Sequence, residues 1–176
     1  MFIDERQLRS LVERIVELAL EAVGADEAKS ESLLVLAGSD TDVLKSALRT
    51  LPKSHNSGFA IVVNEQHMQD EELGRLVCSH ASRIMYASEC LSNDFDYENV
   101  IYPVMPRDIL AKCALCIPDT GEVKIFDRAL SEGVGVVLKQ GALMPFSEKE
   151  PDSYRNKILG YIRVLLEYGV EIELKS

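Results

Sequence analysis

The chain has 176 residues, 47% of them hydrophobic and 27% charged, with 29 acidic against 19 basic side chains and a formal net charge of −10. That length suits one domain burying about 70% of its unfolded surface; the acidic surplus argues against a nucleic-acid partner, having no basic excess to displace phosphate counterions, and against an anionic membrane surface. No apolar run approaches the roughly 20 residues that cross a bilayer, and the acidic start lacks the basic and apolar regions of a secretory signal, so a cytoplasmic location is expected.

Asp4 with Gln7 three residues later has the form of a capping box, with Asp in place of Ser or Thr. Leu8, Leu11, Val12, Ile15, Ala19, Ala22 and Val23 then recur at helical spacing up to Gly24, a natural stop. The expected organisation is an amphipathic helix over 1–24, a polar linker over 25–32 and a main domain over 33–176. Within that domain strands are expected at 33–37, 58–63, 83–87, 100–104, 133–139 and 170–174. Helices are expected between them, at 39–51, 70–80, 109–115 and 122–131. The first carries Val43, Leu44, Ala47, Leu48 and Leu51 on one face before Pro52 blocks it. A last helix opens at Pro151 and closes at Gly169. Residues 89–98 read as an irregular polar piece and 105–108 as a short loop. Near-continuous apolar strands separated by helices predict a parallel sheet covered on both faces. The fold class is therefore α/β: a Rossmann-like, doubly wound, mainly parallel sheet of about six strands, preceded by the amphipathic helix.

The carboxyl edge of such a sheet is where ligands bind, and two turns there carry candidate chemistry. After the first strand, in Gly38-Ser39-Asp40-Thr41-Asp42, the glycine permits a tight turn and Ser39 and Thr41 offer hydroxyls to a phosphate at a helix N-terminus. The alternative is that Ser39 or Asp40 simply caps the helix, and Asp40 and Asp42 repel an anion. The turn is not a Gly-x-Gly-x-x-Gly fingerprint, so a dinucleotide is not supported. Ser88, just past the third strand, offers another hydroxyl to the same crevice. His55 and His67 fall in polar loops and His80 at a helix end; no Gly-x-Ser-x-Gly elbow accompanies them, so they read as structural or solvated. Asp94, Asp96 and Glu98 read as a solvated acidic face. Cys78, Cys90, Cys113 and Cys116 are expected as thiols, Cys113 and Cys116 packing in the core. A redox or zinc pair at Cys113-x-x-Cys116 is the alternative, and without a second Cys-x-x-Cys no metal site is expected.

The stretch Pro103-Val104-Met105-Pro106-Arg107-Asp108-Ile109, Leu110-Ala111-Lys112, then Ala114-Leu115-Cys116-Ile117-Pro118-Asp119-Thr120 carries a family likeness. It resembles the Pro-x-x-Ser-x-Asn-Thr, Leu-Ala-Lys and Ala-Leu-Gly-Ile-Ala-Asp-Asn run of the homo-oligomeric flavin-containing cysteine decarboxylase family of flavoproteins. It looks most like the flavoprotein-like members encoded with bacterial microcompartments. The Gly38-Ser39 turn resembles the family's first flavin-phosphate loop, and the ending from Tyr154 to Val170 resembles its last helix and strand. The likeness covers about residues 33–174. It departs where Pro106 replaces Ser, Asp108 Asn, Ile109 Thr, Cys116 Gly and Thr120 the second Asn, which removes hydrogen-bond donors.

The resemblance implies an FMN cofactor, with Gly38, Ser39, Thr41 and Ser88 at the phosphate. Pro106, Arg107 and Asp108 would line the ring or substrate, and Asp119 would support that loop. It implies a homo-oligomer, expected as a trimer, with a redox or electron-transfer role in ethanolamine- or propanediol-type metabolism; decarboxylase chemistry is not carried over. The alternative it leaves is a non-catalytic descendant that has lost the flavin and keeps an assembly or scaffolding role. Residues 1–24 have the form of a microcompartment docking helix that would bind shell proteins; the other reading is a helix packing across its own sheet or a neighbouring subunit.

Overall fold

The computed structural model describes residues 31–51, 58–139 and 141–173; the expected helix over 1–24 and the linker up to residue 30 lie outside them. Among the described residues the strands are β1 (Leu33–Val35), β2 (Phe59–Val63), β3 (Ala81–Tyr86), β4 (Asn99–Tyr102), β5 (Gly135–Leu138) and β6 (Glu171–Ile172). They pair in parallel throughout, in the order β3-β2-β1-β4-β5-β6. The helices are α1 (Thr41–Thr50), α2 (Glu65–Gln69), α3 (Glu71–His80), α4 (Ala87–Ser92), α5 (Arg107–Ala114), α6 (Gly121–Glu132) and α7 (Asp152–Glu167). This is the doubly wound α/β sheet that the sequence predicts.

Side chains alternate across a strand, and the apolar runs sort accordingly. Leu33, Val35, Ala60, Val62, Val100 and Tyr102 pack toward one face, under α4 to α7. Leu34, Leu36, Ile61, Val63 and Ile101 pack toward the other, under α1 and α3. Both faces of the central strands are covered, which is why β1 and β2 are wholly apolar, whereas β3 at the edge exposes Ser82 and Arg83.

Local chemistry shifts several boundaries. The first helix begins at Thr41 because the Asp40 carboxylate accepts from Asp42 N and Val43 N, each at 3.2 Å, and so acts as the cap. Residues 65–69, left unassigned in the sequence, form α2 because Asn64 and His67 make a reciprocal capping box. The irregular polar piece expected at 89–98 instead begins as the last turn of α4, and inside its acidic part Phe95 is buried, edge-on to Tyr97 at 5.1 Å and beneath Arg128 at 4.8 Å. Arg107 opens α5 rather than lying in the loop. The fifth strand begins at Gly135 because Gly133, at φ 73°, terminates α6 in the left-handed region.

An ion cluster joins the two helices of the second face. Lys45 Nζ lies 2.9 Å from Asp42 and 3.0 Å from Asp70, and Glu72 pairs with Arg49. Asp70 also caps α3 by accepting from Leu73 N at 3.0 Å. The Leu73 N–H first, and the Lys45 ammonium second, hold its carboxyl down at about 2 against an ordinary 3.8. A carboxyl with a depressed folded-state pKa contributes stability that is complete above its unfolded value and disappears as the pH falls through the folded one. Asp70→Asn should therefore be less stable than the parent in urea unfolding at pH 7, with the gap closing between pH 3.8 and about 2. A gap that stays constant with pH would remove the carboxylate charge from the explanation.

Candidate functional site

In this strand order the winding reverses between β1 and β4, which opens a crevice at their carboxyl ends. β1 runs on through Leu36 and Ala37 to Gly38, at φ 87°. The Gly38 carbonyl accepts from His67 Nε2 at 2.7 Å, while His67 Nδ1 accepts from Asn64 N at 3.2 Å and Asn64 Oδ1 accepts from His67 N at 2.9 Å. With Nδ1 accepting, the ring proton is assigned to Nε2. His67 is 0% exposed, so the polar-loop expectation is corrected: it is a buried tie between the turns that follow β1 and β2.

On the other side of the crevice the β4–α5 turn closes onto the same glycine. A Cβ at Gly38 would lie 2.6 Å from Pro106 Cγ, so only glycine allows this approach. Ser39 is exposed and Thr41 opens α1, whose first N–H groups already bond to Asp40. Arg107 turns away toward Glu150, Asp108 is exposed, and Asp119 pairs with Lys112 at 3.1 Å. The structure thus brings Gly38 and Pro106 into contact, while Asp119 is committed to its own neighbour.

The open space lies beside this closed turn. A cleft of about 380 Å³ is lined by Leu36 from β1, Val62 to Glu65 from the end of β2, Tyr86 to Ser88 from the β3–α4 junction, and Gly121 and Glu122 at the start of α6. Of the residues singled out in the sequence, Ser88 lines it. Gly121 is what lets the two helix starts converge, since a Cβ there would lie 2.5 Å from Ala87 Cβ. Neither Tyr86 nor Thr120, the residues that precede α4 and α6, bonds through its side chain to the helix N–H groups. Thr120 Oγ1 is buried without a partner. Uncapped first turns present backbone donors and a positive end of the dipole. Tyr102 Oη donates to the Glu122 carbonyl at 2.7 Å, and burial pushes its phenol well above the usual range, so it remains a donor fixing α6 to β4. Glu65 and Glu122 place acidic side chains on the cleft wall.

Sequence reasoning missed Asn64, Gly121 and Glu122. Asn64 and His67 were legible as a capping box at three-residue spacing, and Thr120-Gly121 as a helix start. Nothing local says that these segments meet.

Cys90 and Cys113 are buried thiols, and burial pushes both up, Cys113 to about 12. They remain protonated in the core, whereas Cys116 is exposed, with Sγ 3.5 Å from Tyr168 Oη. Core packing therefore describes Cys113 but not Cys116. His80 is buried, with Nδ1 2.9 Å from the Leu76 carbonyl; His55 lies outside the described residues. Among the described residues no group of three or more His, Cys, Asp or Glu side chains is arranged to hold a metal ion, and no helix is long and apolar enough to cross a membrane.

No family model matches the chain, and no curated protein matches it. Solved structures do. The dodecameric FMN-dependent UbiX-like decarboxylase from Escherichia coli O157:H7 superposes with a TM-score of 0.58 at 18% identity, covering 81% of this chain and 77% of that one. The FMN-dependent cysteine decarboxylase TvaF from thioviridamide biosynthesis gives 0.57 at 14% identity, covering 83% and 90%. DmrB from Burkholderia xenovorans in complex with FMN, a cubic protein cage for redox transfer, gives 0.54 at 14% identity, covering 85% and 90%. At such identities the likeness is one of fold.

Proposed function

We propose that this chain is an FMN-binding protein of the flavoprotein fold, with a redox or electron-transfer role in a bacterial microcompartment of the ethanolamine or propanediol type. The observation that carries the reading is the cleft of about 380 Å³ at the carboxyl edge, flanked by two helix starts without side-chain caps. Apart from the Glu65 and Glu122 carboxylates on its wall, the residues of the cleft fit the group. The Ser88 hydroxyl and the N–H groups of the first turns of α4 and α6 are donors suited to a phosphate. The orphaned Thr120 hydroxyl stands beside one of those turns. Leu36, Val62, Val63 and Tyr86 offer an apolar wall to a ring. Gly38, Ser39 and Thr41 would border the site from β1, and Pro106, Arg107 and Asp108 from β4, with Asp119 holding Lys112 behind them. FMN, when bound, supplies one- and two-electron transfer; the chain's part is to hold the phosphate and keep water from the ring. A homo-oligomer, expected as a trimer, and docking to shell proteins through residues 1–24 complete the proposal. Neighbours of the same fold that assemble as a dodecamer and a cage support the oligomer.

A second reading is favoured by one observation: Pro106 lies against Gly38 and Asp40 caps α1, so the chain's own groups fill the β1–β4 half of the crevice. On that reading the protein keeps the fold for assembly or scaffolding without the flavin.

An absorbance titration with FMN, and with riboflavin as control, separates the two. Saturable binding with a shifted flavin band is expected, about tenfold or more tighter for FMN than for riboflavin, equivalent to about 1.4 kcal/mol from the phosphate. Ser88→Glu, which puts a carboxylate in place of the hydroxyl at the start of α4, should abolish that preference and leave riboflavin binding intact. No binding at high FMN would select the scaffolding reading, and an unchanged preference in Ser88→Glu would move the phosphate elsewhere.

A further inference from the structure

Helix α5 ends in a turn that normally calls for glycine and here carries a thiol. Ile117 N donates to the Lys112 carbonyl at 2.9 Å and Cys116 N to the Cys113 carbonyl at 3.2 Å, the paired bonds of a Schellman motif. The left-handed position of that motif is usually glycine, which has no Cβ to clash. Cys116 holds it at φ 54°, the one non-glycine residue with a positive φ among the described residues.

The same turn brings Cys116 to Cys113. A hydrogen bond from residue i+3 back to residue i sets the two Cα atoms within about 7 Å, and disulfides span about 4.4–6.8 Å. Both side chains line one pocket of about 20 Å³, walled by Phe126, Asp127 and Leu130 of α6. Access to the two sulfurs differs: Cys113 is 2% exposed, while Cys116 is open to solvent. Cys116 Sγ rests 3.5 Å from Tyr168 Oη at the end of α7, and that hydroxyl donates to the Ala114 carbonyl at 3.2 Å. The pair therefore has an outer sulfur that an oxidant can reach and an inner sulfur on the same pocket.

We infer that Cys116 is a thiol–disulfide exchange site for low-molecular-weight disulfides, that Cys113 resolves it, and that closing the Cys113–Cys116 bond takes the outer sulfur from Tyr168. The Cys116 thiolate attacks one sulfur of the external disulfide, forming a mixed disulfide and releasing one thiolate. Cys113 then loses its proton to solvent through the pocket, and its sulfur attacks Cys116 Sγ and releases the second thiolate. Two protein thiols are oxidised to one disulfide, and the external disulfide is reduced to two thiols. Burial pushes the Cys113 thiol up to about 12, so its thiolate is scarce near neutral pH and the second step is the slow one. That step is intramolecular, which offsets the scarcity. The pair sits at the opposite end of α5 from the Pro106 turn and does not depend on flavin in the cleft lined by Ser88.

The test uses the full chain with oxidised glutathione as probe. Free thiols are then alkylated in denaturant and the peptides weighed. The peptide with Cys113 and Cys116 should be unalkylated and lighter by two hydrogens. Cys78, exposed on α3 across the sheet, should keep a glutathione adduct and so report that the oxidant acted. Cys113→Ala should stop at the adduct on Cys116, and Cys116→Ser should leave Cys113 a thiol. A lasting adduct on Cys116 in the parent overturns the inference, as does a Cys116 that stays free or bonds to a second copy of the chain. Should Cys113→Ala not fold, the parent answers by time course: the Cys116 adduct should appear first and decay as the disulfide grows, and a disulfide without that precursor refutes the exchange. Amide hydrogen exchange reads the link to Tyr168. The last turn of α7 should exchange about threefold or more faster once the pair is oxidised, and unchanged exchange overturns that link.

Discussion

Gly38→Val should be the most damaging single substitution at the sheet's carboxyl edge, lowering stability by about 2–5 kcal/mol in urea unfolding. Two effects add. A β-branched residue held at the Gly38 φ of 87° is strained by about 1–2 kcal/mol. Its Cβ would also sit 2.6 Å from Pro106 Cγ, an overpacking that costs about 1–3 kcal/mol. The two are separable. Pro106→Gly in the valine background should recover the packing part and leave the backbone part, whereas Gly38→Ala should show the close approach with less backbone strain. A valine variant within about 0.5 kcal/mol of the parent would mean that the β1 and β4 turns do not meet as described.

His67→Ala should cost about 3 kcal/mol, from unsatisfied buried groups and the cavity left behind. The imidazole is the partner of both the Gly38 carbonyl and the Asn64 N–H, and both residues are only partly exposed. His67→Gln should recover part of the loss, because an amide also donates and accepts. Because Asn64 lines the cleft, the alanine variant should also bind FMN more weakly, measured by the same titration as the parent. Parent-like stability in His67→Ala would show that the ring does not tie the two turns together. Together the two substitutions ask whether the floor of the site is a rigid frame built from Gly38, Pro106 and His67.

That frame bears on the departures from the flavoprotein pattern. Where the run that this sequence resembles has a serine, this chain has Pro106, and its ring packs against Gly38 instead of donating a hydrogen bond. Asp40 does the same at α1, spending the helix start on an internal carboxylate. The remaining donors lie one step along the sheet edge, around Ser88 and Gly121. A flavin held there would rest on β1 to β3 and α6, and the titration with Ser88→Glu decides whether it does.

The alternation of apolar strands with amphipathic helices, and the glycine and proline stops between them, carry the α/β class on their own. Those signals are local: a strand buried on both faces must be apolar throughout, and Gly133 ends a helix wherever that helix packs. Asp40, Asn64 and Pro151 likewise mark helix starts within a few residues of where they stand. The site is different in kind. Leu36, Asn64, Ser88 and Gly121 enter one cleft only because the strand order places β2, β1 and β4 side by side and brings α4 and α6 together over them. His67 finds its acceptor 29 positions away and Arg107 its carboxylate 43 positions away. A polar side chain's sequence neighbours do not say which distant carbonyl or guanidinium it will meet, because that partner is chosen by packing. Hence His67 looked like a polar-loop residue and Arg107 looked like a loop residue until the sheet brought their partners to them.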